Sequence, residues 1–446
     1  MISRAEFARR RRELMDLMGN NSIAILPSAK EIVRSRDTHF TFRQDSDFHY
    51  LTGFPEPDAV LVLLPGREHG EYVMFCREKD PVMETWHGRR QGQVGAKKNF
   101  GCNDAFPIDD IDDILPGLME GRDRIYYEFG NHDDFDNRIM GWISSLRAQV
   151  KKGAHPPGEL IDLSHILHDM RLIKSHAELK VMQKAAVISA DAHIAAMQVC
   201  QPGLNELRIE SELKYQFANQ GARAEAYSSI VAGGENACIL HYVENDAELK
   251  DGDLLLIDAG AELEGYAADI SRTFPVNGKF TAEQRQAYEW VLKANIEAIK
   301  VAKPGNAWSA PHDKAVRILT KGLIQMGILS GDLDTLVEEE AYKPYYMHKT
   351  GHWIGLDVHD VGDYMLDREP RELAEGMVLT VEPGLYFAPK TKGLDKKWWG
   401  IGIRIEDDVV ITKKGNKVIT KKVPKDPDAI ESLMAEAAKA RRKKRA

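Results

Sequence analysis

Apolar residues in the first 170 positions fall in short runs separated by polar, turn-rich stretches. The runs at 22–26 (SIAIL), 59–64 (AVLVLL), 71–75 (EYVMF) and 124–127 (RIYY) predict strands. Residues 5–17 and 142–150 have helical spacing. Strands alternating with helices predict an α/β domain. One aromatic-rich segment, 42–54 (FRQDSDFHYLTGF), reads as a surface loop pinned to a core by Phe48, Tyr50 and Phe54. His155-Pro-Pro-Gly158 then breaks regular structure, and 163–171 returns to helix. A domain boundary is expected near Ile173, giving a first domain of 1–172.

Beyond that point the pattern repeats in order. Ser175-x-x-Glu178 is a capping box opening a long helix to about Val199. Pro202-Gly203 and a helix near 206–219 follow. Thr281-x-x-Gln284 caps another long helix, followed by Pro304-Gly305 and a helix near 313–326. Glu248-Leu249-x-x-Gly252-x-x-Leu255 leads into Asp258, and Glu372-Leu373-x-x-Gly376-x-x-Leu379 leads into Glu382, at a constant offset of 124 residues. In the first copy, residues 254–257 form an apolar run ending in Asp258, and 257–274 read as a hairpin. Folding it about Leu263 and Glu264 sets Asp258 opposite Asp269. In the second copy the returning strand is 400–412, with Gly402, Arg404 and Glu406 on one face. Glu406 takes the place of Asp269. Two such halves facing each other converge four carboxylates on a pseudo-dyad.

Composition narrows the reading. The chain has 446 residues, 43% hydrophobic and 29% charged, as in soluble globular proteins of more than one domain. A net charge of −9 gives no electrostatic case for nucleic acid. No apolar run is long enough to span a membrane, and the basic N-terminus has no apolar stretch behind it. Cys76, Cys102, Cys200 and Cys238 are scattered, which points to reduced thiols, a cytoplasmic location and no cysteine–zinc site.

Buried carboxylates that face each other need a cation between them, or some must hold a proton. Residues 345–362 (YYMHKTGHWIGLDVHDVG) supply His348, His352 and His359. The His348/His352 spacing resembles a zincin, but Lys349 stands where glutamate is required and Gly351 disfavours helix. The better reading is one histidine ligand with the others near substrate; His241 mirrors His359 in the first copy. Four carboxylates and an imidazole form a hard donor set that favours Mn²⁺, and their charge fits two divalent ions about 3.5–4 Å apart. Such ions turn a bridging water into a nucleophile near neutral pH.

Together, FRQDSDFHYLTGF, the Asp258–Asp269 hairpin, HWIGLDVHD, VEPGLY and GIRIEDD resemble the pita-bread metallopeptidases, most closely the Xaa-Pro aminopeptidase (aminopeptidase P) family. The resemblance implies an α/β N-terminal domain, an α+β pita-bread catalytic domain over 173–425 with internal pseudo-two-fold duplication, and a basic tail at 426–446. It implies two metal ions: Asp258 on one, His352 with Glu382 on the other, and Asp269 and Glu406 bridging. Glu382 would also take the proton of the bridging water. His359 and His241 would contact substrate around the scissile bond, with His348, Arg404 and Tyr386 as further substrate-side candidates. The implied reaction releases the N-terminal residue from peptides with proline second, whose tertiary amide lacks an N–H. A homodimer or homotetramer through the N-terminal domain is implied, with Asp37 and Trp86 reaching a neighbouring cleft. The alternatives are a prolidase with the same ligands, or a non-catalytic pita-bread scaffold. The tail, ending AKARRKKRA, reads as frayed and solvated, with a helix possible over 428–439.

Overall fold

The computed structural model describes residues 2–445 and divides into units 1–171 and 172–446. In the first unit, a mixed six-stranded sheet has the order Asp104–Pro107, Tyr72–Cys76, Val60–Leu63, Ser22–Pro27, Arg124–Tyr127, Glu159–Asp162. The four inner strands are those the apolar runs predict. The two edge strands were not predicted, because they are only partly buried and carry little apolar signal. The second helix starts nine residues before the expected 142, spanning Asp133–Ala148. Its buried stripe of Phe135, Ile139, Trp142, Ile143 and Leu146 follows helical spacing, and Asp133, Asp134 and Asp136 favour its first turn.

Segment 42–54 corrects the loop reading. Residues Ser46–Thr52 are helical, the Asp45 side chain accepts the Phe48 N–H at 2.8 Å, and Gly53 closes the helix at φ +61°. Phe48, Tyr50 and Phe54 are buried. Asp47 is buried too, 2.7 Å from an Arg171 nitrogen and 3.1 Å from His168 Nε2.

In the second unit, helices His176–Val199 and Glu206–Asn219 pack on each other, as do Ala282–Val301 and Ala310–Gln325. Both long helices open with the expected capping boxes, at Ser175 and Thr281. The first hairpin departs from its expected register. Leu254–Asp258 pairs antiparallel with Ser271–Pro275, so Asp258 faces Ser271 and not Asp269. The cause lies at the tip. Glu264 and Gly265, not Leu263 and Glu264, form the turn, both at positive φ (52° and 84°). A turn centre one residue later moves every pairing by two, which preserves the face. Asp269 lies just outside the strand, where the ribbon closes tightly; a Cβ on Gly260 would meet the Ala268 carbonyl oxygen at 1.6 Å.

Residues 400–412 also form two strands, not one. Ile401–Arg404 pairs with Gly384–Phe387, and Asp407–Thr412 pairs with Val378–Val381. Glu406 sits at the break, its N–H donating to the Ser271 carbonyl at 3.0 Å. The chain end bears out the helix expected over 428–439 and corrects the frayed reading of the basic end. Residues Pro427–Arg445 are helical, Ile430 and Met434 are buried in the unit's main core, and Arg441 donates to the Gln198 carbonyl. All four cysteines are free.

Candidate active site

The two ligand-bearing hairpins and the loop after Tyr346 bring their side chains to one cavity of about 450 Å³. Asp258, Asp269, His352, Glu382 and Glu406 all line it. Donor atoms of Asp269, His352 and Glu406 lie within 4.8 Å of one another. His352 Nε2 is 3.4 Å from Asp269 Oδ2 and 3.7 Å from Glu382 Oε1. Asp258 joins through Tyr227, whose hydroxyl is 2.6 Å from Asp258 Oδ1 and 2.5 Å from Asp269 Oδ1.

Electrostatics show what this crowding demands. Burial pushes Glu382 up to about 7, with His352 and Arg404 opposing and Asp269 and Asp258 adding to the rise. Burial, reinforced by Asp269, Glu382 and Asp258, drives Glu406 well above the usual carboxylate range. Burial works against a charge on His352, yet the Asp269 hydrogen bond and the Glu382 and Asp269 charges raise it to about 9. Four crowded carboxylates, two of them buried, cannot all ionise here without added positive charge. The donor set fits divalent cations. His352 Nδ1–H donates to the Trp353 carbonyl at 2.9 Å, which turns Nε2 toward the carboxylates.

The flanking candidates separate into two groups. His241 and His359 line the cavity and are exposed, and the His359 ring centroid lies 4.3 Å from that of His352. Burial, aided by His352, holds the His359 pKa below its ordinary value. Arg404 lines the cavity but is engaged on three sides: Nε donates to Ser271 Oγ (2.9 Å), Nη1 to the Tyr386 hydroxyl (3.0 Å) and Nη2 to Asp258 Oδ2 (2.6 Å). Tyr386 is buried behind the wall and does not line the cavity. Its hydroxyl is 2.8 Å from His348 Nε2. His348 Nδ1–H donates to the Lys349 carbonyl at 2.7 Å, so Nε2 accepts from Tyr386. Tyr386 thus supports Arg404 and His348. Tyr227 and Ser271 were not found from sequence; Ser271 Oγ also lies 2.8 Å from Glu406 Oε2. Both are neutral residues with no spacing to mark them.

The family model "Metallopeptidase family M24" matches residues 180–413, and "Aminopeptidase P, N-terminal domain" matches 7–126. The chain belongs to metallopeptidase family M24. The M24 chain is 46% identical to the Xaa-Pro aminopeptidase of Escherichia coli (strain K12), covering 98% of this chain and 99% of that one. It is 32% identical to Xaa-Pro aminopeptidase 3 of Homo sapiens, over 98% of this chain and 87% of that one. Among solved structures it is similar to Pseudomonas aeruginosa aminopeptidase PepP, with TM-score 0.97, 57% identity and 98% and 99% of the two chains covered. Zn-substituted E. coli aminopeptidase P in complex with product superposes with TM-score 0.95 at 45% identity, covering 98% and 99%. The second unit is therefore the pita-bread catalytic domain of a metalloaminopeptidase, a hydrolase that works with divalent metal ions.

Proposed function

We infer that the protein is an Xaa-Pro aminopeptidase, releasing the N-terminal residue from peptides with proline in second position. One observation carries this reading: four carboxylates and an oriented imidazole meet in a single cavity, in a chain matching Xaa-Pro aminopeptidases over nearly its full length. Asp258, Asp269, His352, Glu382 and Glu406 would hold two divalent ions, for which Mn²⁺ is the proposed native metal. When bound, such ions lower the pKa of a water and polarise a carbonyl.

The remaining steps belong to the protein. Glu382 is the carboxylate suited to take a proton and return it to the departing prolyl nitrogen, since it lines the cavity beside His352. His241 and His359 stand at the rim, where an imidazole N–H can donate to the scissile carbonyl or its tetrahedral successor. Arg404 and Tyr227 fix Asp258 from opposite sides. Apolar Ile230, Leu240, Val243 and Val358 offer the prolyl ring a surface that asks for no N–H. We further propose a cytoplasmic homodimer or homotetramer built through the N-terminal unit, where Trp86 is 78% exposed. No helix among the described residues is long and apolar enough to cross a membrane.

The test is turnover of Xaa-Pro-Xaa, Xaa-Pro and Xaa-Ala-Xaa peptides by Mn²⁺-loaded protein. Cleavage of the proline tripeptide alone, or far faster than the others, is expected. Cleavage of the Xaa-Pro dipeptide alone would make the enzyme a prolidase.

A further inference from the structure

The catalytic cavity holds four carboxylates, whose charge two divalent ions would balance, so the side chains flanking them discriminate the charge of the rest of the peptide. Setting the histidines aside, two cationic side chains line it, Arg404 and Lys349. Arg404 is engaged with Ser271, Tyr386 and Asp258. Lys349 is exposed and has no ion-pair partner among the described residues.

Lys349 also lines a second cavity of about 410 Å³, which shares Gly351 with the first. No aspartate or glutamate lines this second cavity. Its walls include Trp308, Tyr364 and Leu379, with Thr350 and His312 supplying polar groups. Burial first, and the Lys349 charge second, lower His312 to about 4, so His312 is neutral and Lys349 is the cation of this wall. Ser309 and His312 belong to the start of helix Ala310–Gln325, whose N-cap makes no side-chain hydrogen bond. The helix dipole there has the same sign as Lys349.

We infer that Lys349 recognises a carboxylate on the leaving-group side of the peptide, and that the second cavity receives that end. The inference rests on the Xaa-Pro reading and adds a specificity determinant to it. The substrate class is a short peptide bearing a negative charge within about 10 Å of its N-terminus, the reach of three residues. That charge is the free C-terminus of a tripeptide or an acidic third side chain.

The experiment compares kcat/KM for Ala-Pro-Leu, its C-terminal amide, and Ala-Pro-Asp-amide, using native protein, Lys349→Met and Lys349→Glu at low ionic strength. Native protein is expected to favour Ala-Pro-Leu over its amide about fivefold, mostly in KM, the scale of one exposed ion pair. Lys349→Met brings that ratio to one, and Lys349→Glu inverts it. A matching preference for Ala-Pro-Asp-amide over the Leu amide assigns recognition to a side-chain carboxylate as well; its absence assigns it to the C-terminus. Equal acid-to-amide ratios in native protein and Lys349→Met overturn the inference, while turnover of either tripeptide leaves the Xaa-Pro reading standing. Calorimetric titration of Pro-Leu and Pro-Leu-amide into the metal-loaded proteins gives the same comparison without catalysis. If no peptide is turned over, the Xaa-Pro reading falls and the calorimetric ratio still decides the role of Lys349.

Discussion

At the scale of single residues, the site depends on groups that hold the carboxylates as much as on the carboxylates. Tyr227 is the sharpest case, because its hydroxyl lies within 2.6 Å of oxygens from both Asp258 and Asp269. It can donate only one proton, so it orients the pair as a unit, with Asp258 Oδ2 held by Arg404 and Asp269 Oδ2 facing His352. Tyr227→Phe removes that link and keeps the ring. It is expected to weaken metal affinity about 10–100-fold, the range for partners of metal ligands. Mn²⁺ titrations followed by activity and by retained metal after dialysis measure this; unchanged affinity would show that Arg404 and the backbone hold the two aspartates without Tyr227. The carboxylates themselves were legible because duplication repeats them at an offset of 124 residues. Tyr227 and Ser271 were not, because a hydroxyl becomes meaningful only through the oxygens it meets in space.

At the scale of elements, two predictions follow from helices the sequence described poorly. Helix Ser46–Thr52 is tied down by Asp47, whose charge meets Arg171 and His168. Burial works against the Asp47 carboxylate, but Arg171 and His168 outweigh it and hold its pKa below the usual range. Burial likewise works against a charged His168, and Asp47 outweighs it, raising the His168 pKa above 6.5. A depressed Asp47 contributes stability present above pH 3.8 and lost as pH falls through its folded pKa. A raised His168 contributes stability present below pH 6.5 and lost as pH rises through its folded pKa. The transition carrying the N-terminal unit should therefore be most stable between about pH 4 and 6.5 as far as this cluster governs it. Arg171→Met, which leaves Asp47 buried without its main cation, should cost about 3–5 kcal/mol. Scanning calorimetry across pH tests both.

The second element is the terminal helix Pro427–Arg445. Ile430 is fully buried and Met434 nearly so, so Ile430→Ala should cost about 2–5 kcal/mol. A cost under about 0.5 kcal/mol in denaturant unfolding would return the segment to a solvated tail. Its sequence reads as a basic end because Arg441–Arg445 dominates the eye, while two apolar residues four apart decide the packing. The helix starts at Ser175 and Thr281 were legible because both carry complete capping boxes. The hairpin register was not, since Glu264 adopts positive φ without the asparagine or aspartate that advertises such a turn.

At the scale of the whole molecule, metal and fold are coupled through charge. The catalytic domain converges four carboxylates, and Glu406 bears repulsion from Asp269, Glu382 and Asp258 on top of its burial. Cations that relieve this repulsion bind the folded chain and not the unfolded one, so they stabilise it by mass action. At a hundred times its dissociation constant a single ion adds about 2.7 kcal/mol, or about 5–10 °C in a domain of this size. Glu406→Gln separates the parts of this argument. The substitution keeps the shape and replaces a carboxyl that burial and its neighbours already push toward the neutral form, so the metal-free protein should melt within about 2 °C of native. The same change deletes a ligand, so the Mn²⁺-induced rise should fall to half or less, and turnover by at least about a hundredfold. A destabilised metal-free variant would mean that Glu406 serves chiefly through its contact with Ser271 Oγ. A full Mn²⁺ shift in the variant would place the cations elsewhere in the cavity. The expected pairing, an unharmed fold with a lost metal response, separates the part Glu406 plays in holding the ions from any part it plays in holding the metal-free fold.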